Sequence, residues 1–335
     1  MKVSDIGERG LLERLFPFCA AEVVGDDGAL FDTRGVMYRV VVTTDVLVNG
    51  VHFSDRTTPP HAVGWRAAAA NLSDLAAMGA SPLGITVGLS LTPDTAVSWV
   101  EELYGGMRDC LQEYGTAILG GDIVRSPVNS LSITAFGEVH SHYPIQRHTG
   151  EVGDLLVVTG VHGASRAGLE CLLNPEWGTI FSPGDRQLAI QAHQYPRPRL
   201  DLLPHLRDTS SGRITGMDSS DGLADAIEQI CRCSEVGARI DVSAIPYPHY
   251  LNSVLSEDAL YLWEHKLFQW VLYGGEDFQL VLAMPADAAH KLCDRVGEIV
   301  IIGELVEHDA IELQGLSATN PNKTLEGRWG FQHFS

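Results

Sequence analysis

Apolar runs of strand length alternate with longer amphipathic stretches along the whole chain. The first half predicts strands at 37–43, 83–91, 116–119 and 130–139, and helices at 61–78 and 95–114. The second half predicts strands near 154–159, 213–217, 238–242, 278–283 and 298–306. Its helices are expected near 163–173, 185–194, 221–233 and 286–296. Strands and helices stay interleaved in both halves, which favours a mixed α/β architecture with mixed sheets. The polar, turn-rich stretch 140–154 is the expected boundary, giving units 1–143 and 144–335. A chain of 335 residues suits about two domains.

One pattern recurs across this alternation: an apolar run reaches glycine or threonine and is followed at once by acids. It appears as Val23-Val24-Gly25-Asp26-Asp27, Val42-Thr43-Thr44-Asp45 and Ile118-Leu119-Gly120-Gly121-Asp122. It returns as Gly216-Met217-Asp218-Ser219-Ser220-Asp221-Gly222 and as Tyr273-Gly274-Gly275-Glu276-Asp277. If these acids stand at carboxyl ends of strands, they stand where α/β folds bind ligands. Glycine there lets the backbone approach a phosphate, and aspartate offers a hard oxygen to Mg²⁺. One Gly-Asp pair is an ordinary turn; five in one chain point to chemistry.

Charge sharpens the picture. The balance of 23 basic against 43 acidic residues gives −20, a field that repels polyanions and speaks against a nucleic-acid partner while suiting divalent cations. No apolar run approaches the roughly 18 residues of a spanning helix, and residues 1–16 lack the apolar core of a signal peptide. Six scattered cysteines form neither a disulfide framework nor a zinc pattern, and Cys19, Cys110, Cys171 and Cys293 read as packed thiols. A cytoplasmic, reduced location is expected.

Several residues resist a purely structural reading. The Ala-rich stretch ending at Gly79 suits a buried helix, and a buried Asp74 on it needs a cation or several donors; pairing with Arg66 or a neighbouring element is the plain alternative. Asp218, Ser220 and Asp221 stand where a strand hands over to a helix, as an N-cap or as cation and phosphate ligands. Glu276 reads as a turn acid or as a contact to a polar or cationic group. His52 is weak evidence taken singly, and Arg147 is a phosphate clamp or a solvated loop arginine. The chain has no Gly-Lys dipeptide, no glycines spaced i, i+2, no His-Glu-x-x-His and no Gly-x-Ser-x-Gly. A P-loop, a dinucleotide fingerprint and a kinase glycine loop are thereby excluded.

The ordered blocks VGDD, TTDVLVNGVHF, NLSDLAAMGASP, LGGD, VTGVHGASRAGL, MDSSDGL, YGGEDFQLV and WGFQHF span nearly the whole chain. Together they resemble the thiamine-monophosphate kinases, within the superfamily of aminoimidazole ribonucleotide synthetase and selenophosphate synthetase. The resemblance implies that superfamily's two-domain architecture, paired through N-terminal domains in a homodimer. It implies transfer of the γ-phosphoryl of ATP to thiamine monophosphate, the last step of thiamine diphosphate synthesis. Several Mg²⁺ ions and, in many members, a monovalent cation such as K⁺ assist; no covalent or strong-base residue is implied. By resemblance Asp27, Thr43, Thr44, Asp45, Asp74, Asp122, Asp218 and Asp221 would hold metal. Tyr104, Gly121, Asp122, Arg147 and Ser220 would contact ATP, and His52, Glu276 and Phe331 the thiamine phosphate. Ser219 and Phe278 stand where the family commonly carries an aliphatic residue and a tyrosine. The alternatives are a superfamily enzyme with another small acceptor and a non-catalytic nucleotide or cation sensor.

Overall fold

The computed structural model describes residues 5–6, 10, 13–14, 25–32, 37–142, 144–175, 179–209, 213–254, 267–315 and 323–325. Cys19 and Phe331 lie outside the described residues.

Among the described residues, the first half builds a five-stranded sheet and two long helices that cover it. Its strands are β1 (Ala29–Asp32), β2 (Tyr38–Val48), β3 (Ser81–Leu91), β4 (Ile118–Arg125) and β5 (Ser130–His140), in the order β1-β2-β5-β3-β4. Only β3 and β4 run parallel. Along β5 the side chains alternate between buried and half-buried, as a period of two requires. Leu131, Ile133, Ala135 and Val139 enter the core, whereas Ser132 and Thr134 face the other way. The core face is covered by α1 (Pro60–Ala77) and α2 (Val97–Glu113).

Helix α1 is buried on nearly every side, because the sheet, α2 and a strand from the second half all pack on it. Its run of alanines suits this crowding, since bulkier side chains would hold the neighbours off. Two glycines set the closest approach. A Cβ at Gly64 would stand 1.9 Å from the Leu103 carbonyl oxygen, and one at Gly106 would stand 1.8 Å from that of His61. The backbones of α1 and α2 therefore touch.

The second half forms a seven-stranded sheet. Its strands are β6 (Leu155–Thr159), β7 (Thr215–Asp218), β8 (Gly237–Asp241), β9 (Leu280–Met284), β10 (Ile299–Val306), β11 (Ile311–Gln314) and β12 (Lys323–Thr324), in the order β12-β11-β8-β10-β6-β9-β7. The helices are α3 (Ala164–Leu173), α4 (Pro183–Gln194), α5 (Leu203–Thr209), α6 (Leu223–Cys233), α7 (Phe268–Tyr273) and α8 (Ala286–Arg295). On β9, Leu280, Leu282 and Met284 join one hydrophobic core with α1 and α8, and Val281 and Ala283 join a second with α3 and α6. Both faces are dry, which explains the unbroken apolar runs.

The mixed α/β reading holds, and the longer elements lie close to their predicted spans. The expectation that the five acid-bearing turns end strands needs correction. Among the described residues only the Asp218 cluster follows a strand, β7. Gly25-Asp26-Asp27 precedes β1, Gly275-Glu276-Asp277 precedes β9, and Thr43-Thr44-Asp45 and Gly120-Gly121-Asp122 lie inside β2 and β4. Threonine and glycine do not stop a strand whose ladder partners continue, as β5 and β3 do here. The stretch 140–154 is also no mere linker: Ile145 is fully buried and Gln146 bridges to Thr215.

Candidate active site

Helix α1 carries the two ends of the site. Arg66 and Asp74 lie eight residues apart, about 12 Å along the axis at 1.5 Å per residue. At the Asp74 end, carboxylate oxygens of Asp27, Asp74 and Asp218 lie within 4.8 Å of one another. The three come from the turn before β1, from α1 and from the end of β7. Thr43 donates to Asp74 Oδ2 at 2.5 Å, and Ser73 donates to Asp218 Oδ2 at 2.5 Å. The other Asp218 oxygen accepts the Ser220 N–H at 3.2 Å and its hydroxyl at 2.7 Å.

These acids burden one another. Burial, then the charges of Asp45, Asp218 and Asp27, pushes Asp74 well above the usual carboxylate range. Burial and the charge of Asp218 push Asp45 up to about 6. Asp27 is pushed up to about 7, chiefly by burial, although Arg147 works in the opposite direction. Such a cluster is stable as anions only with cations among its oxygens.

One cation is supplied by the chain. Arg147 donates from Nη2 to Asp27 Oδ1 at 2.5 Å and from Nη1 to Gln229 Oε1 at 2.6 Å. Gln229 is in turn tied to Asp225, one turn earlier on α6, at 2.6 Å. Arg147 is therefore a buried counter-ion and not a solvated loop arginine. Arg66 likewise does not pair with Asp74; its partner is Glu276, and the neighbouring element that meets Asp74 is β2, through Thr43. The N-cap of α6 is Gly222, with no side-chain capping bond, so capping does not account for Asp218, Ser220 or Asp221.

A cavity of about 900 Å³ runs from these acids toward α3 and α4. Asp45, Asp74, Ser220 and Asp221 line one part, and His52, Phe53, Arg66, Ser165, His193, Glu276 and Phe278 another. At this second end the charges are matched. The buried Arg66 guanidinium donates from Nη2 to Glu276 Oε1 and from Nη1 to Thr58 Oγ1 at 3.3 Å and His193 Nε2 at 3.2 Å. Burial alone would raise Glu276, but the adjacent guanidinium holds its carboxyl below the usual range. Desolvation, reinforced by Arg66, pushes His193 down to about 4, so it is a neutral imidazole.

The turn that presents Glu276 is strained and tightly packed. Glu276 and Phe278 have φ of +66° and +49°, in the left-handed region that side chains seldom enter. The Glu276 N–H donates to the Ser220 carbonyl at 2.7 Å, and a Cβ at Gly275 would stand 2.4 Å from that oxygen. Asp277 accepts the N–H groups of Gly163 at 2.6 Å and Ser165 at 2.8 Å, securing the first turn of α3. The YGGED and MDSSDG blocks, far apart in sequence, are thus clasped together. Ser219 Oγ accepts the Gln279 N–H at 3.1 Å and helps join β7 to β9.

Other expected site residues stand elsewhere in this chain. Asp122 is exposed on edge strand β4, in register with Gly88, Ser132 and Val46, on the sheet face away from α1. Thr44 lines the cavity edge, but its hydroxyl meets Thr134 at 2.9 Å on that same far face. Gly121 neighbours Asp122, and Tyr104 is half-buried on α2. Neither Tyr104, Gly121 nor Asp122 borders the cavity. Sequence reasoning missed Ser165, His193 and Gln229, and cast Arg66 only as a partner for Asp74. Ser165 stood within a quoted block; His193 and Gln229 carried no local signal.

Two family models match the chain: AIR synthase related protein, N-terminal domain, over residues 25–139, and AIR synthase related protein, C-terminal domain, over 151–315. The thiamine-monophosphate kinase of Synechococcus elongatus is 48% identical over 99% of this chain and 98% of its own length. That of Prochlorococcus marinus is 37% identical over 91% of this chain and 90% of its own. Among solved structures, AaThiL complexed with AMPPCP and TMP is similar at a TM-score of 0.82 and 29% identity, covering 97% of this chain and 98% of that one. Full-length similarity, the paired AIR synthase domains and the acid-lined cavity agree: the chain belongs to the thiamine-monophosphate kinase family.

Proposed function

We propose that this protein transfers the γ-phosphoryl group of ATP to the phosphate of thiamine monophosphate, giving ADP and thiamine diphosphate. The observation that carries the reading is the division of one cavity between uncompensated acids and a matched Arg66–Glu276 pair. Two polyanionic phosphates repel each other unless cations stand between them. The donor set fits Mg²⁺: clustered, mutually destabilised carboxylates with a threonine hydroxyl beside them. Asp27, Thr43, Asp45, Asp74, Asp218 and Asp221 would hold several Mg²⁺ ions; Thr44 and Asp122, which face the other side of the sheet, are assigned to metal by resemblance alone. When bound, these ions neutralise charge on the transferring phosphoryl group. A monovalent cation such as K⁺ belongs to the same reading.

The side chains have separate tasks. Arg147, held by Gln229, offers a guanidinium to a nucleotide phosphate once Asp27 turns to metal. Ser220 stands beside Asp218 with its N–H at the start of the α6 segment. His52, Phe53 and Phe278 line the acceptor's part of the cavity, and Phe331 is assigned there by resemblance. A phosphate oxygen is already anionic near neutral pH, so positioning suffices and no strong base is required.

The same reading assigns ATP binding and pairing to residues 1–143 and completion of the site to 144–335. Val46, Leu83, Leu119, Ile123 and Val124 are exposed on or beside the face of the five-stranded sheet that points away from α1. A second copy seated there would bury them and bring Gly121 and Asp122 to the subunit boundary. Among the described residues no helix is long and apolar enough to cross a membrane, and the −20 charge disfavours nucleic acid; a cytoplasmic homodimer fits both.

The test is a coupled ADP-release assay with ATP and Mg²⁺, with thiamine monophosphate, with thiamine, and with neither. Equal amounts of ADP and thiamine diphosphate, formed only with the monophosphate, are expected. ATP binding without turnover, or equal turnover with thiamine, would overturn the reading.

A further inference from the structure

Arg66, His193, Ser165 and Glu276 form a hydrogen-bond chain whose direction is fixed by its first member. A guanidinium only donates, so His193 Nε2, 3.2 Å from Arg66 Nη1, must be the unprotonated nitrogen. The imidazole proton then sits on Nδ1, which lies 3.0 Å from Ser165 Oγ and 3.7 Å from Glu276 Oε2. At these distances Ser165 is the acceptor. The serine oxygen receives the Nδ1 proton, and among the described residues no acceptor takes its own hydroxyl proton. Ser165 is 1% exposed yet lines the cavity, so that proton has the cavity as its outlet. A buried hydroxyl left without an acceptor is costly, which favours a ligand that supplies one. The low affinity of His193 for a second proton keeps this direction unchanged near neutral pH.

Beside this donor stands an acceptor. Glu276 gives one carboxylate oxygen to Arg66, and about a third of the side chain (35%) remains exposed. Both Ser165 Oγ and Glu276 Oε2 lie within 4 Å of the same imidazole nitrogen. The geometry points to Ser165 and Glu276 as a donor–acceptor pair that reads the aminopyrimidine edge of the acceptor substrate. Glu276 accepts a hydrogen bond from the exocyclic amine, and Ser165 donates one to the adjacent ring nitrogen. The phosphate end of the same molecule then lies toward Asp45, Asp74 and Asp221. This assignment rests on thiamine monophosphate being the acceptor. It makes Ser165 a specificity-determining residue and His193 the residue that positions its proton.

The discriminating probe is the thiamine monophosphate analogue whose pyrimidine amine is replaced by oxygen. That ring presents a carbonyl to Glu276 and an N–H to Ser165, so donor meets donor and acceptor meets acceptor. Sites built to hydrogen-bond a substrate group reject such analogues strongly. Steady-state kinetics are measured for both compounds with the wild type, Ser165→Ala and His193→Gln. Glutamine can still accept from Arg66 through its oxygen, but its amide donor sits at the end of a flexible chain and no longer fixes the Ser165 proton as the ring Nδ1–H does. Ser165→Ala is expected to raise KM for the amino compound about tenfold, with kcat changed much less, as for one lost hydrogen bond in a dry site. The oxo compound should lose nothing, so the preference for the amino compound narrows about tenfold. His193→Gln should narrow it in the same direction by roughly threefold. Equal losses for both compounds, or an unchanged preference in folded Ser165→Ala, would overturn the assignment. Wild-type protein that turns over neither compound would instead sink the underlying kinase reading, and this inference with it.

Discussion

The two ends of the cavity both gather charge around α1 and deal with it differently. At the Glu276 end the chain answers most of its own charges: Arg66 meets Glu276 and His193 is neutral, whereas Asp277, held by backbone N–H groups, is still pushed up to about 7 by burial. At the Asp74 end four carboxylates face one buried arginine, and three of them are pushed above their ordinary range. A matched end is pre-organised and suits recognition of a fixed shape. An unmatched end gains most from what binds there, and so suits a mobile charge such as a metal–phosphate complex.

The largest expected effect breaks the unmatched end. Asp74→Asn removes a negative charge that its neighbours already oppose. Turnover should fall on the order of a thousandfold, since several kcal/mol of transition-state charge stabilisation depend on metal at this site. The metal-free protein should melt higher than wild type, a combination that steady-state assays and thermal unfolding can check together.

The ends also differ in the sign of their pH dependence. Asp27 and Asp45 titrate at about 7 and about 6 in the folded chain, against an ordinary 3.8. The folded state therefore holds extra protons across that window, and their stabilisation is lost as pH rises through 6 and 7. His162 and His193 are both lowered from 6.5 to about 4. Their contribution is complete above 6.5 and is lost as pH falls through 4. His162 is buried with neither ring nitrogen hydrogen-bonded, so nothing compensates its charge. Saturating Mg²⁺ should remove the slope of Asp27 and Asp45 and leave those of Asp277 and the histidines. His162→Leu should then remove roughly half of the histidine contribution, on the order of 3 kcal/mol. Denaturant midpoints from about pH 4.5 to 7.5, with and without Mg²⁺, measure both slopes.

A smaller effect probes the one cation that the unmatched end owns. Gln229→Leu removes an oxygen 2.6 Å from Arg147 and the donor to Asp225, without touching the clustered acids. KM for ATP should rise about fivefold, the worth of one hydrogen bond near 1 kcal/mol, while KM for the acceptor stays constant.

Much of this contrast was legible in the chain. The alternation of β5, the alanine run of α1 and the dry strands β6 and β9 follow from side-chain period and size. Small-residue-plus-acid turns marked Asp27, Asp45 and Asp218, and a carboxylate in the alanine run marked Asp74, as belonging to one chemistry once the ordered blocks were recognised. Position within strands was not legible, because glycine and threonine look like stops until a ladder partner is known. The matched end was hardest to see. Arg66, Ser165, His193 and Glu276 come from four distant segments, and a buried ion pair has no sequence spacing to betray it. Thr44 and Asp122 were grouped with the acids by family pattern, whereas the register of β2, β5, β3 and β4 puts Asp122 and the Thr44 hydroxyl on the far face.

The most direct test of the contrast is the thermal stability of nucleotide-free protein near pH 8 as Mg²⁺ is titrated, for wild type and Asp74→Asn side by side. A marked rise for wild type, with a higher start and a flatter response for Asp74→Asn, is the expected result. A wild-type melting temperature indifferent to Mg²⁺, or an Asp74→Asn protein that melts lower and responds equally, would contradict a cation-dependent acid cluster.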